Sequence, residues 1–403
     1  MTSSLTAERV RRDIEVVAHA GLGLDDFFAE TVASLTRAVP VDAVCIGTFD
    51  PNTVLLTSAR KYGSLLGEDH RDPDWGLLEY GQVEPSAYRE MVAARRDAVG
   101  LNLLNRGATE RSNRMSQLMI PEYCFHDEAR LVLRDGDRAW AGIAMFRSGA
   151  GCRPFDADEV AFLGSLSRTL AYGVRVGLLS SVVATGAGSG ASGPTRTGPE
   201  DSGVAHMSPA TGHGPAVLII DRGNEIVQMS AGSQERIADL ASGPNGAAVM
   251  NPIYGLIGAA RRYGSGESSV PPRLRVRGAS GMWLVIHASP LSSADGRVGE
   301  VVVTIEEARP PEIIPLVVEA FGLTARERDV TQMVLQSVAT KDIATALHVS
   351  AYTVQDHLKS IFDKAGVRSR RELIARIYFD QYAQRLNDPL LPSGSFAAAD
   401  GEL

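Results

Sequence analysis

The stretch from Phe321 to Leu386 constrains this chain most, because its helix starts and stops are written into the sequence. A Ser or Thr followed three residues later by Glu satisfies two otherwise orphaned backbone donors at a helix start. Thr324 with Glu327, and Ser369 with Glu372, have that spacing. Between them, Thr340 precedes a short apolar-periodic run (Ile343, Ala344, Leu347), and Ser350 precedes a longer one that ends at Gly366, a residue suited to a left-handed C-cap. Four helices are expected, over 325–336, 341–347, 351–364 and 370–385. In the third, Val354, Leu358, Ile361, Phe362 and Ala365 fall on one side and Tyr352, Gln355, Asp356, Lys359 and Asp363 on the other. One face packs and the other is free to read something. The turn His348-Val349-Ser350 is short enough to set this helix across the second, the arrangement that lays a recognition helix in a DNA major groove. Periodicity alone also fits a small bundle with a solvated polar face.

The residues also carry a family resemblance. The run LTARERDV, followed by KDIATALHVSAYTVQDHLKSIFDKAGVRSRREL, is similar to the LuxR-type (GerE-like) DNA-binding domain at Leu323, Thr324, Arg326, Glu327, Ile343, Ala344, Leu347, Ser350, Thr353, Val354, His357, Lys364 and Arg370. The resemblance implies a dimeric transcriptional regulator bound to double-stranded DNA, with the third helix in the major groove and a dimer contact on the fourth through Leu373, Ile377 or neighbours. On this footing Tyr352, Gln355 and Asp356 are expected to face bases, and Lys341, Thr353, Lys359, Lys364 and Arg370 to meet phosphates, with Ser350 capping the recognition helix. Two positions depart from the pattern. Ser337 stands where Gly is frequent after the first helix, and Gln355 stands where Lys is frequent; Gln favours a bidentate contact to adenine. Asp356 turns a carboxylate toward a polyanion and should lower non-specific affinity, unless it accepts from a cytosine amino group or holds a basic neighbour.

Charge agrees with a DNA-touching module on an acidic body. Residues 322–386 hold ten Lys/Arg and seven Asp/Glu, a balance of +3, leaving −11 on the rest of a chain whose total is −8. At 403 residues and 44% apolar content, two or three globular domains are expected. No apolar run approaches a membrane span and the N-terminus has no apolar core segment, so the expected location is the cytoplasm. Cys45, Cys124 and Cys152 make neither a zinc spacing nor a disulfide framework.

Residues 1–180 read as one α/β unit: helices over 5–19 and 24–38, strands Val44–Phe49 and Val54–Ser58, a helical middle over 85–120, the hairpin Ala129–Arg134 and Trp140–Arg147 about Asp135-Gly136-Asp137, and a last helix over 156–177. This order resembles a GAF domain, a small-molecule sensing or dimerising module. Residues 181–214, dominated by Gly, Ser, Ala, Thr and Pro, are expected to be a flexible linker that leaves its neighbours mobile relative to each other. Residues 215–309 follow the order of a PAS-like domain: strands 216–220 and 225–229, helices over 231–240 and 249–262, then strands over 273–277, 282–291 and 300–307. A connector, 310–320, leads to the DNA-binding module at 321–386, and 387–403 is expected to be a disordered tail. The expected fold class is multidomain α+β, with a GAF-like α/β domain, a PAS-like α/β domain and a C-terminal all-α four-helix module. End to end, the chain resembles actinobacterial regulators that join a GAF-like region to a LuxR-type output.

Other candidate sites have bland readings beside them. The close thiol and imidazole of Cys124 and His126 allow a haem, bilin or redox role, although a Cys near a strand start is usually structural. Trp75, Tyr80 and Glu84-Pro85 are faintly similar to the cluster of acyl-homoserine-lactone receptors at the wrong spacing, and helix packing accounts for them. Trp283 and His287, four apart on one strand face, fit core packing. No nucleophile-base set, paired carboxylates or phosphate loop occurs in a recognisable context, so no catalytic residue, metal or cofactor is expected, while a small-molecule ligand stays open. The alternative to a ligand sensor is a ligand-independent regulator whose upstream domains dimerise or bind partner proteins.

Overall fold

A computed structural model describes residues 4–184, 214–240, 251–280, 282–292 and 298–378. Two five-stranded, wholly antiparallel sheets and a C-terminal group of helices make up its frame. The first sheet has the order β2-β1-β5-β4-β3, formed by β1 (Ala43–Asp50), β2 (Leu55–Gly63), β3 (Ala98–Gly100), β4 (Phe125–Asp135) and β5 (Arg138–Ser148). Side chains alternate between its faces. On one, Val44, Ile46, Leu131, Leu133, Ile143 and Met145 join α1 (Ser4–His19), α2 (Leu24–Ala38), α7 (Ala157–Ser165) and α8 (Ser167–Ala184) in an apolar core. The other face lies against α3 (Asp72–Gly81), α4 (Tyr88–Ala93), α5 (Leu101–Leu104) and α6 (Ile120–Tyr123).

The sequence pattern missed α3 and β3, and the expected helical middle is a series of short helices and turns. The single helix expected over 156–177 is divided at Leu166. There the Ser167 hydroxyl donates to Val132 O (2.7 Å) and accepts from Arg134 N (3.2 Å), which ties the chain to the sheet edge. α7 itself starts on a capping box between Asp156 and Glu159.

The second sheet has the order β7-β6-β10-β9-β8, from β6 (Ala216–Ile220), β7 (Ile226–Met229), β8 (Arg273–Arg277), β9 (Trp283–Ser292) and β10 (Val298–Glu307). Its core holds Leu218, Ile220, Leu274, Leu284, Ile286, Val301 and Val303 beneath α10 (Asn251–Gly264), with α9 (Ser233–Asp239) alongside. The two sheet units do not stand apart. Tyr80 of α3 enters the second core, and α3 meets α10 at backbone distance: a Cβ on Gly258 would fall 2.9 Å from Gly81 N. The residues expected to form the linker lie outside the described residues, apart from 181–184 at the end of α8 and Gly214. The two sheet units on either side of it are in direct contact through α3 and α10.

Helix α11 (Pro310–Ala320) leads into α12 (Ala325–Leu335), α13 (Thr340–Ala346), α14 (Ala351–Ala365) and α15 (Arg370–Tyr378), close to the four helices expected. The rest of the expected fourth helix and the tail lie outside the described residues. One apolar cluster runs from α1, α2 and α8 through Ile313, Leu316 and Val317 of α11 to Val330, Ile343, Val354 and Ile361.

Candidate nucleic-acid interface

The C-terminal helices are held in place by local hydrogen bonds that the sequence specifies. Thr324 Oγ1 accepts from Glu327 N (3.3 Å), and Glu327 returns the bond by accepting from Thr324 N (2.7 Å). Ser350 Oγ accepts from Thr353 N (3.0 Å) at the start of α14. Helices α12, α13 and α14 end alike. Ser337, His348 and Gly366 have φ of 61°, 54° and 66°, and the next residue donates back to the last turn: Val338 to Met333 O, Val349 to Ala344 O and Val367 to Phe362 O. Ser337 thus occupies the left-handed conformation that a glycine adopts without strain. The left-handed His348 makes the tight turn that places α14 across α13.

Glu327 does more than cap. Its carboxylate, 5% exposed, accepts from Ser360 Oγ (2.6 Å) and Lys364 Nζ (2.6 Å), bolting α12 to the inner side of α14. Burial pushes its pKa up, but the bonds from Lys364, Ser360 and Thr324 N outweigh burial and hold it down to about 2. Sequence reading found Glu327 only as a cap. The signal for its second role was Ser360 and Lys364, four apart on one helix.

The outer side of α14 is open. Tyr352 is 76% exposed, and Gln355, Asp356 and Lys359 are exposed beside it. Ser350 and Lys341 are exposed at the approach to the helix, while Thr353 is half-buried, its hydroxyl 2.9 Å from that of Ser350. Lys364 and Arg370 do not join them freely: Lys364 is bonded to Glu327, and Arg370 Nη2 donates to Val338 O. Leu373 and Ile377, expected at a dimer contact, are 0% and 1% exposed in the chain's own core, which closes them to a partner in this arrangement.

The sequence pattern of the luxR family of bacterial regulatory proteins matches residues 322–377. The spore germination protein GerE of Bacillus subtilis is 36% identical over 55 residues, which span 14% of this chain and 74% of that protein. The chain belongs to the luxR family. A protein of Mycobacterium bovis described as an HTH-type transcriptional regulator is 46% identical over 53 residues, 13% of this chain, and the chain spans only 6% of that relative's length. Among solved structures, the GAF domain of a phosphoenolpyruvate-protein phosphotransferase from Coxiella burnetii aligns with 46% of this chain and 99% of its own at 14% identity, with a TM-score of 0.29, too low to carry an argument.

Upstream, the first sheet and α3 enclose a cavity of about 30 Å³ lined by Cys45, Trp75, Glu79, Tyr88 and Arg130 among others. A charge network lies against it, through Glu79 and Arg130. Arg114 donates to Glu128 (2.6 Å) and Glu79 (3.3 Å), Arg130 pairs with Glu79 (2.8 Å), and the Arg130 guanidinium stacks 3.7 Å above the Tyr88 ring. The side chains of Arg114, Arg130 and Glu128 are at most 1% exposed. Sequence pattern gave no sign of this network. Trp75, Tyr80 and Glu84 are buried, and Glu84 accepts from Ser112 Oγ and Asn113 N. Cys124 is exposed at the left-handed end of α6, and His126 is half-buried at the start of β4. Trp283 is buried; burial and then Arg273 push the half-buried His287 below the usual imidazole range. Among the described residues, no group of three or more His, Cys, Asp or Glu could hold a metal, and no helix is long and apolar enough to cross a membrane.

Proposed function

We propose that the protein is a DNA-binding transcriptional regulator, of the kind resembling actinobacterial proteins, in which a GAF-like unit (1–180) and a PAS-like unit (215–309) govern the LuxR-type module (321–386) through the 310–320 connector. The observation that carries this reading is the open polar face of α14, set behind a capped turn within a luxR-family module. In the proposal Tyr352, Gln355 and Asp356 read bases, and Lys341, Thr353 and Lys359 meet phosphates beside the Ser350 cap. Lys364 and Arg370 reach phosphates only by sharing or leaving their present partners. Two copies occupy half-sites about one helical turn apart, with a contact that spares Leu373 and Ile377 or frees them.

Genome-wide footprinting in the native host, followed by anisotropy on the recovered duplexes, tests the reading. Gln355→Ala should cost about 1–3 kcal/mol at one base position, and Lys359→Ala should weaken all sequences alike and lower the salt slope by about 1. A featureless footprint with wild-type salt slopes in both variants would reject it. For the first unit, a ligand-independent role draws support from the size of the cavity beside α3, since about 30 Å³ holds a few water molecules. A gain of several degrees in melting temperature from one member of a metabolite panel would decide for a small-molecule sensor.

A further inference from the structure

Helix α11 is gripped by both upstream units. From the second, Arg275 on β8 donates Nε and Nη2 to the two carboxylate oxygens of Asp50 (2.8 and 2.7 Å), and its backbone N donates to the same carboxylate (2.9 Å). Asp50 ends β1 of the first sheet, and both side chains are buried, 7% and 3% exposed. The remaining arm of the fork, Nη1, donates to the backbone carbonyl of Glu312 in the first turn of α11 (3.1 Å). Arg273, two residues earlier on the same strand face, pairs with the Glu312 carboxylate. At the far end of α11, Arg138 of the first unit pairs with Glu319 (2.9 Å). Beyond it, Gly322 lies so close to Arg175 of α8 that a Cβ there would fall 2.9 Å from the guanidinium.

One guanidinium therefore touches three bodies: the first sheet, the second sheet and the helix that leads to the DNA-binding module. Only arginine can do this, because its planar fork offers five donors in fixed directions where lysine has a single point of attachment. A buried carboxylate that accepts three bonds from Arg275 and a fourth from Asn52 N is also not free to exchange them for water, so the joint is held or broken as a whole.

We propose that Arg275 is the positioning residue that makes the two sheet units act on α11 as one body, so that displacing either unit shifts the DNA-binding helices while the Asp50–Arg275 pair is intact. This coupling requires no ligand at either unit.

The test is amide hydrogen exchange on the full chain, which needs no DNA and so fails independently of the regulator reading. Arg275→Lys keeps a cation for Asp50 but cannot hold the Glu312 carbonyl as well. It should raise exchange within 312–320 about tenfold while β1 and β8 keep their protection. Arg275→Met leaves the buried Asp50 charge with only the backbone N–H groups of residues 275 and 52, so Asp50→Asn/Arg275→Met is measured beside it, and this pair should loosen α11, β1 and β8 together. On a recovered operator with two half-sites the Lys variant should lose affinity severalfold, with its affinity for one half-site and its salt slope unchanged. Wild-type exchange across α11 in Arg275→Lys, or equal losses on one and two half-sites, would overturn the proposal.

Discussion

The DNA-binding module and the first sheet unit use the same residue types in opposite ways. Lys341 and Lys359 stand in solvent around an open polar face, whereas Arg114 and Arg130 are turned inward and closed over by Glu79, Glu84 and Glu128. Solvent screens the first kind of charge and makes it nearly neutral for stability, so it is available for a ligand as charged as a phosphate backbone. The second kind has lost its water, and its partners must replace every contact. The difference teaches where to look for function and where for fold specificity: outward cations report what the chain meets, and inward ones report which arrangement of the chain is allowed.

The largest expected effect breaks the inward set. Arg130→Met should cost about 3–5 kcal/mol in urea unfolding, because Glu79 and Glu128 are left with fewer donors in a dry place. A loss below about 1 kcal/mol would mean that water enters the network and that the contrast is false. Glu327 lies between the two regimes, being buried yet placed beneath the exposed face. Glu327→Gln should cost about 2 kcal/mol in the melting of the full chain. The stability from this carboxylate is fully present above its ordinary pKa of about 4.5 and is lost as the pH falls toward about 2, since its folded value is depressed. Wild type and variant should therefore converge in acid melts over that window, and a constant gap would remove the charge from the argument. The smallest effect is Ser337→Gly, which relieves a left-handed serine and should gain about 0.5 kcal/mol without altering DNA affinity.

This contrast also explains what could be read from the chain alone. The C-terminal helices were legible because their punctuation is local: Thr324, Ser350 and Gly366 each act within four residues of themselves. Ser337 and His348 were not read as left-handed ends, although the frequent Gly at the position of Ser337 was a sign of one, because neither residue is a glycine. The edge strand β3 is three residues long and α3 contains two glycines, so neither shows a period. Arg130 and Glu128 alternate with Ala129 and Leu131, and that pattern reads as a strand with one wet face. It takes α3, α4 and Arg114, distant in sequence, to make that face dry. Lys364 was assigned to phosphate and bonds to Glu327, a contact across 37 residues that periodicity cannot reveal.

The crossing of α3 and α10 has a use for anyone who wishes to control this protein. Gly81 and Gly258 meet with no side chain between them, and α3 on its other side walls the small cavity of the first unit. Gly258→Cys places a Cβ 2.9 Å from Gly81 N, so the helices must part slightly to admit it; exchange of its thiol with a small dialkyl disulfide, forming a mixed disulfide and releasing one alkanethiol, would part them further, and an excess of thiol reductant would reverse that second step. The two glycines thus mark the place where a removable handle could be fitted to the contact between the two sheet units.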